Sequence, residues 1–191
     1  MKKGLKSTVA ITLLVLVGFL VKALLAKNFE FIGYWIVLVA LFLVVVKLDK
    51  KYNFPLPAIW FFSIWSMLHM AGGLIKINGT RLYDLILIPL IGEPFLILKF
   101  DQVIHIYCYF AIAILSYFIV KKYVPNKTAL IYISILIAFA VGGMNEIIEF
   151  GMVVFANAGA AVGGYYNNAL DLVCNLIGAI AGVFFARKVW N

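Results

Sequence analysis

The sequence has few charged residues and few cysteines for its length. Charged side chains make up 13% of the 191 residues and hydrophobic side chains 65%, well above the roughly 45–50% of soluble domains. This balance excludes a large soluble domain. The two cysteines, Cys108 and Cys174, lie inside apolar runs rather than in loops. An extracellular disulfide framework is therefore not expected, and both are predicted to be buried apolar residues.

Several motifs that identify an activity are also missing. The chain has no H-E-x-x-H run, no G-x-S-x-G, no glycine-rich phosphate loop and no internal repeat. Basic residues outnumber acidic ones by 16 to 8, but no basic polar segment is interleaved with aromatic residues. We therefore expect no nucleic-acid partner, and we interpret the excess as loop charge that sets membrane topology.

Long apolar runs, separated by charge or by Gly, Pro and Asn, dominate the chain. About 20 apolar residues cross a membrane as a helix, so this composition predicts an all-α polytopic integral membrane protein with about six transmembrane helices. We expect one helical domain over residues 1–191. The predicted spans are residues 8–26, 31–46, 58–75, 101–120, 129–156 and 170–186.

The segment between the third and fourth spans, residues 76–100, is too apolar for a free loop but is broken by Pro89, Gly92 and Pro94. Irregular backbone at membrane depth must be covered by protein or line a cavity. We therefore predict an interfacial or re-entrant segment that packs on the helices.

The basic residues are distributed unevenly between the two sides of such a bundle. If six spans alternate, one side receives 11 of the 16 and the other four, and the positive-inside bias then places both termini in the cytoplasm. The basic, apolar start resembles a secretory signal, but Lys22 interrupts it and no A-x-A site follows. We expect a retained first helix in the plasma (inner) membrane, with membrane lipids as partners.

Ionisable residues inside spans are costly and usually face a bundle interior or an aqueous cavity. Here they concentrate in the half of the spans that the charge bias makes the outer one. Residues three or four apart share a helix face, which pairs Asp101 with His105 and Glu146 with Glu149. The residues of interest in this half are His69, Asp84, Asp101, His105, Asn145, Glu146, Glu149, Asp171 and Asn175.

The last span adds a stripe of small residues to its polar face. Asp171 and Asn175 are followed at similar spacing by Gly178 and Gly182. Such a stripe lets a neighbouring helix approach closely. We therefore predict that the polar patch of this helix lies against another helix rather than against lipid.

Several of these residues also have plain structural interpretations. His69 can be a satisfied core histidine, Asp101 can open its helix as an N-cap, and Asn175 can simply bond to another helix. The pair Glu146 and Glu149 is harder to explain by packing alone, because two carboxylates one turn apart repel each other unless one is protonated, paired or bound to a cation.

The candidate catalytic residues are His105, Glu146, Glu149 and Asp171. His69, Asp84, Asp101, Asn145 and Asn175 are candidate substrate-binding or supporting residues. Two chemistries fit: a divalent metal held by histidine and carboxylates, or metal-free acid–base catalysis by histidine and carboxyl groups. The metal question stays open at this point.

The order of these motifs resembles two related families. Asp101-x-x-x-His105, then Glu146-x-x-Glu149, then Asp171-x-x-x-Asn175-x-x-Gly178 is similar to the VanZ-like membrane proteins and to the uncharacterised YjdF-type small inner-membrane proteins. The likeness covers roughly residues 101–183. The stretches 69–73 and 82–84 resemble the YjdF type upstream.

Three departures from the VanZ pattern place the chain nearer the YjdF type: Gln102 follows the aspartate, Glu149 stands where a glutamine is common, and no arginine precedes Asp171. The VanZ resemblance implies a link to cell-envelope function and glycopeptide tolerance. It implies no reaction.

These observations favour a cell-envelope enzyme with an outward-facing polar site that hydrolyses or transfers a group on a lipid or a lipid-linked small molecule. The alternatives are a small ion-coupled transporter and a non-enzymatic membrane scaffold. Transport needs a polar route to the other side, whereas the inner half of the fifth span, residues 129–141, is almost wholly apolar. We therefore expect a one-sided site.

Overall fold

The computed structural model describes residues 2–93, 95–156 and 164–190. Pro94, named above as a break in the chain, lies outside them. The chain forms two compact units, residues 1–85 and 86–191, and each is described by itself. The single domain expected from the sequence stays a prediction.

The first unit contains three helices: α1 (Leu5–Leu25), α2 (Phe29–Tyr52) and α3 (Leu56–Leu74). Helix α2 begins at a side-chain cap, because Asn28 accepts a hydrogen bond from the Phe31 backbone N–H. Such a cap satisfies one of the donors that the first turn of a helix leaves free.

Polar contacts join these helices at two levels. Lys2 forms an ion pair with Asp49 at 2.5 Å, which ties the start of α1 to the end of α2. Thr12 on α1 and Ser63 on α3 have their hydroxyl oxygens 2.5 Å apart in the interior. Hydrogen bonds between hydroxyl groups join helices in a membrane, because apolar side chains make no directional contacts there.

The second unit contains α4 (Phe100–Val120), α5 (Lys127–Ala156) and α6 (Tyr165–Trp190). Helices α4 and α6 run parallel, since their first halves meet through side chains described below and Lys121 reaches the Trp190 carbonyl oxygen at the far end. Helix α5 runs antiparallel to both.

The glycine stripe of α6 lies against the backbone of α4. A Cβ atom at Gly178 would overlap the carbonyl oxygen of Ile106, and one at Gly182 would overlap that of Phe110. The close approach predicted for these glycines is confirmed.

Five of the six helices in the described part of the chain are long and apolar enough to cross a membrane. These are α1, α2, α4, α5 and α6. Helix α3 has 19 residues and carries Ser63, Ser66 and His69, which lower its hydropathy, and it is not among the five. An all-α polytopic membrane protein is thus confirmed, while membrane crossing by α3 stays a prediction.

Residues 76–100 contain short antiparallel strands, which the sequence analysis did not predict. In the first unit, β1 (Lys76–Ile77) pairs with β2 (Thr80–Arg81). Asn78 and Gly79 connect them with φ angles of 51° and 85°, the positive values that a tight two-residue hairpin turn requires. A 3₁₀ turn, Leu82–Asp84, follows.

In the second unit, β3 (Ile86–Ile91) pairs with β4 (Ile97–Lys99) and leads into α4. All six side chains of β3 are exposed. The expected packing of this segment on the helices is therefore wrong for β3, because its β-branched and Leu residues form a hairpin edge instead of covering helix surface. Whether the segment lies at the membrane interface stays a prediction.

Both cysteines lie in described helices, Cys108 on α4 and Cys174 on α6, and both are free and buried. The interpretation of them as buried apolar residues is confirmed.

Candidate functional site

Polar side chains from all three helices of the second unit meet at one end of that unit. Asp101 and His105 come from the first two turns of α4, Glu146 from the second half of α5, and Asp171 and Asn175 from the first half of α6. Asp101 lies in the first turn of α4, where the positive end of the helix favours negative charge.

A chain of hydrogen bonds crosses the three helices at the centre of this cluster. His105 Nδ1 lies 2.9 Å from the side-chain oxygen of Asn175, and the Asn175 amide nitrogen donates to Glu146 Oε1 at 3.2 Å. Asn175 is fully buried and Glu146 is 5% exposed. A single asparagine thus joins a histidine to a carboxylate on another helix.

This chain places a hydrogen on Nδ1 of the imidazole ring. Because Asn175 uses its amide nitrogen toward Glu146, its oxygen is the atom that faces His105, so Nδ1 carries the hydrogen and donates it. In the neutral ring, Nε2 is then left with a lone pair. Nε2 lies 3.8 Å from Asp101 Oδ1.

Asp171 completes the group. One carboxylate oxygen, Oδ2, accepts a hydrogen bond of 2.6 Å from Asn167. The other, Oδ1, is buried and has no hydrogen-bond partner among the described residues. One ligand atom from each of Asp101, His105 and Asp171 lies within 4.8 Å of the other two. These three residues can hold a metal ion.

The residues predicted from the sequence fall into three groups. The structure brings together Asp101, His105, Glu146, Asp171 and Asn175. On α5, Glu149 accepts a hydrogen bond of 2.8 Å from the side chain of Asn145, which lies one turn earlier.

The two remaining candidates belong to the first unit. His69 lies among aromatic rings, and its Nδ1 is 2.8 Å from the Tyr83 hydroxyl. Asp84 pairs with Arg81 through two hydrogen bonds of 2.7 and 3.2 Å. The surroundings of His69 fit the structural interpretation given to it above.

Sequence analysis missed four polar residues at this end of the second unit. Asn167 donates to Asp171, and Asn168 donates to Glu146 Oε2 at 2.9 Å. Gln102 is 1% exposed and bonds the Lys99 backbone N–H, while Lys99 Nζ is 3.5 Å from Asn167. The sequence offered one signal for Asn167: it lies four residues before Asp171 and therefore on the same helix face.

Negative charge predominates in the site. Four carboxylates, those of Asp101, Glu146, Glu149 and Asp171, accompany a single imidazole and the ammonium group of Lys99, which reaches Asn167. Asparagine amides satisfy several of the oxygens, but amides add no positive charge. An additional cation, either a proton or a metal ion, would therefore be held strongly.

Comparison with known proteins agrees with part of the resemblance. No curated protein and no solved structure matches the chain. Residues 7–190 match the family described as predicted membrane protein (DUF2238), which is the YjdF type. The VanZ resemblance is not among the matches and stays a prediction. Since the match spans nearly the whole sequence, the chain belongs to the DUF2238 family of membrane proteins.

Proposed function

We propose that this protein is an enzyme of the cell envelope that hydrolyses or transfers a group on a lipid or lipid-linked substrate. The observation that carries the proposal is the hydrogen-bonded chain from Glu146 through Asn175 to His105. It orients the imidazole so that Nε2 faces the Asp101 carboxylate at 3.8 Å. A purely structural histidine needs no such oriented free nitrogen.

Reaction takes place, in this proposal, on the Nε2 side of the ring. In a metal-free mechanism, Nε2 accepts the proton of an attacking water or hydroxyl while a protonated carboxyl group of the cluster gives a proton to the leaving group. The carboxyl candidates are Asp171 and Glu149. Glu146 and Asn175 are positioning residues, because they act through the ring of His105.

The substrate class follows from the location of the site. It lies near one end of three long apolar helices, and in this proposal that end lies at the depth where a lipid head group meets the acyl region. An amphiphilic substrate reaches such a site without leaving the membrane. The proposal keeps the orientation derived from the lysine distribution, with the site on the outer face of the plasma membrane and both termini in the cytoplasm.

Transport by the same residues is less well supported. Beyond the cluster and Gln102, and apart from the tyrosines Tyr109 and Tyr117, the buried polar side chains of the described parts of α4 to α6 are Ser116 and Ser134. The Ser134 hydroxyl bonds the Leu130 carbonyl of its own helix, so it does not extend a polar route. A one-sided site suits a membrane enzyme better than a transporter.

The test compares lipids in membranes that contain equal amounts of the wild-type chain, His105→Ala or Ser134→Ala. Ser134→Ala is the matched control, since it removes a buried polar group from α5 outside the cluster. Mass spectrometry of lipids and lipid-linked intermediates should show a species that changes with the wild type and the control. His105→Ala should reduce that change by about 100-fold or more.

Two other results decide against an enzyme. If lipid profiles are the same for all three chains, and proton or cation flux into proteoliposomes requires His105, the protein is a transporter. If neither lipid profile nor flux depends on His105, the cluster only holds helices together and the scaffold interpretation stands.

A further inference from the structure

We infer that Asp101, His105 and Asp171 form a binding site for a divalent transition-metal ion, with Zn²⁺ and Mn²⁺ as the ions that its ligands fit. The inference names the cofactor of the proposed active site and in that sense rests on the proposed function. Metal binding is nevertheless measured without any reaction, so the two proposals can fail separately.

The three residues supply ligand atoms at close range from two helices. One atom from each lies within 4.8 Å of the other two, and His105 Nε2 is 3.8 Å from Asp101 Oδ1. Ligand atoms around a bound ion at metal–ligand distances near 2.1 Å are about 3 Å apart. Small rotations of the two aspartate side chains are enough to reach that spacing.

Asp171 gives an independent indication of a ligand. The residue is 1% exposed, and its Oδ1 atom has no hydrogen-bond donor in the described ranges of the chain. A buried carboxylate oxygen without a partner is strongly unfavourable. A cation between Asp171, Asp101 and His105 would supply the missing interaction.

The histidine is held as metal-binding histidines usually are. Its Nδ1 donates to Asn175, and Asn175 is held in turn by Glu146. An outer hydrogen bond of this kind fixes the tautomer and the ring orientation, and it leaves Nε2 to coordinate the metal. The competing interpretation is a protonated His105 that forms ion pairs with Asp101 and Asp171.

The ligand types narrow the choice of ion. One imidazole and two carboxylates suit Zn²⁺ and Mn²⁺, whereas Mg²⁺ and Ca²⁺ prefer oxygen ligands alone. Two aspartates also balance the charge of one divalent ion. Three protein ligands leave at least one position for water or substrate, and a metal in such an open site activates water and polarises a phosphoryl or carbonyl oxygen.

The experiment uses the full chain purified in detergent. After chelator treatment and dialysis, ZnCl₂, MnCl₂ and MgCl₂ are titrated separately by calorimetry, and bound metal is counted by elemental analysis. We expect one Zn²⁺ or Mn²⁺ per chain, with Mg²⁺ bound at least about tenfold more weakly. Binding should also raise the melting temperature, because the ion binds the folded state.

Variants locate the site. Asp171→Asn keeps the size of the side chain and should weaken Zn²⁺ or Mn²⁺ binding by at least about tenfold, and Asn175→Ala should do so by about 10- to 100-fold through loss of ring orientation. Glu149→Gln is the comparison variant: it removes a nearby negative charge without removing one of the three ligands, so it should weaken binding by no more than about threefold. Asp101→Asn, at a partly exposed position, replaces Asp171→Asn if the latter does not fold.

Two outcomes overturn the metal site. One is the absence of stoichiometric Zn²⁺ and Mn²⁺ binding, which leaves the protonated-histidine interpretation. The other is equal weakening by Asp171→Asn and Glu149→Gln, which indicates diffuse attraction to carboxylates. If the protein binds no ion but lipid turnover requires His105, the proposed function stands without its metal. Metal binding without lipid turnover keeps the metal site and refutes the proposed function.

Discussion

Replacing Gly178 by Ala tests the packing that holds the site together. The new Cβ would overlap the Ile106 carbonyl oxygen and lie 3.0 Å from the Phe110 backbone nitrogen. Neither backbone atom can rotate away, so α6 must move from α4 by roughly 1 Å to restore ordinary contact distances.

The expected magnitude combines two opposing effects. Overpacking of this kind costs about 1–3 kcal/mol, and backbone overlap places it near the upper end of that range. Replacing Gly by Ala in a helix contributes about 1 kcal/mol in the other direction. We therefore expect Gly178→Ala to lower the free energy of unfolding by about 2 kcal/mol, and Gly178→Leu to lower it further.

The control for this prediction is Gly143→Ala, because a Cβ at Gly143 meets no atom within 4 Å. It should leave stability unchanged or raise it by up to about 1 kcal/mol. Unfolding is followed by circular dichroism as sodium dodecyl sulfate is added to the protein in mild detergent. Equal stability of Gly178→Ala and Gly143→Ala would refute the argument that α6 contacts the backbone of α4 at this position.

Further predictions concern the site and the topology. Glu146→Gln removes a buried charge but keeps one hydrogen-bond acceptor, so the free energy of unfolding should change by no more than about 1 kcal/mol. The affinity for Zn²⁺ or Mn²⁺ in calorimetry should fall by about tenfold. Unchanged affinity would show that this carboxylate does not position the His105 ring. Gly142→Ala places a Cβ 2.9 Å from the Asn175 amide nitrogen. We expect weaker Zn²⁺ or Mn²⁺ binding in calorimetry with only a small change in the unfolding midpoint. Thr80 and Lys122 are both at exposed positions. A membrane-impermeant maleimide added to intact cells should label Thr80→Cys and not Lys122→Cys, because the lysine-rich loops are predicted to be cytoplasmic. The reverse pattern would place the site on the cytoplasmic face.

Much of the helical architecture could be predicted because apolar runs of about 20 residues have few alternatives in a membrane. The segment between the third and fourth helices could not be predicted in the same way. A short run such as Ile86–Ile91 has no helical period and pairs as a strand with Ile97–Lys99. Short apolar runs are ambiguous between helix and strand from sequence alone.

Within the site, the sequence predicted which residues share a helix face. Asp101 and His105 are four residues apart, as are Asp171 and Asn175. Because an α-helix has 3.6 residues per turn, residues at this spacing lie on one face. Asn168 was missed, since its importance depends on Glu146, which lies 22 residues earlier on another helix.

By itself, the sequence determined that the chain is a helical membrane protein, and it predicted that the polar residues concentrate in one half of the third to sixth spans. Only the tertiary structure decided that Asn175 lies between His105 and Glu146 and that one oxygen of Asp171 is left without a donor. The physical reason is that helical periodicity gives the face of a residue on its own helix. The rotation of one helix against another is set by contacts such as that of Gly178 with α4.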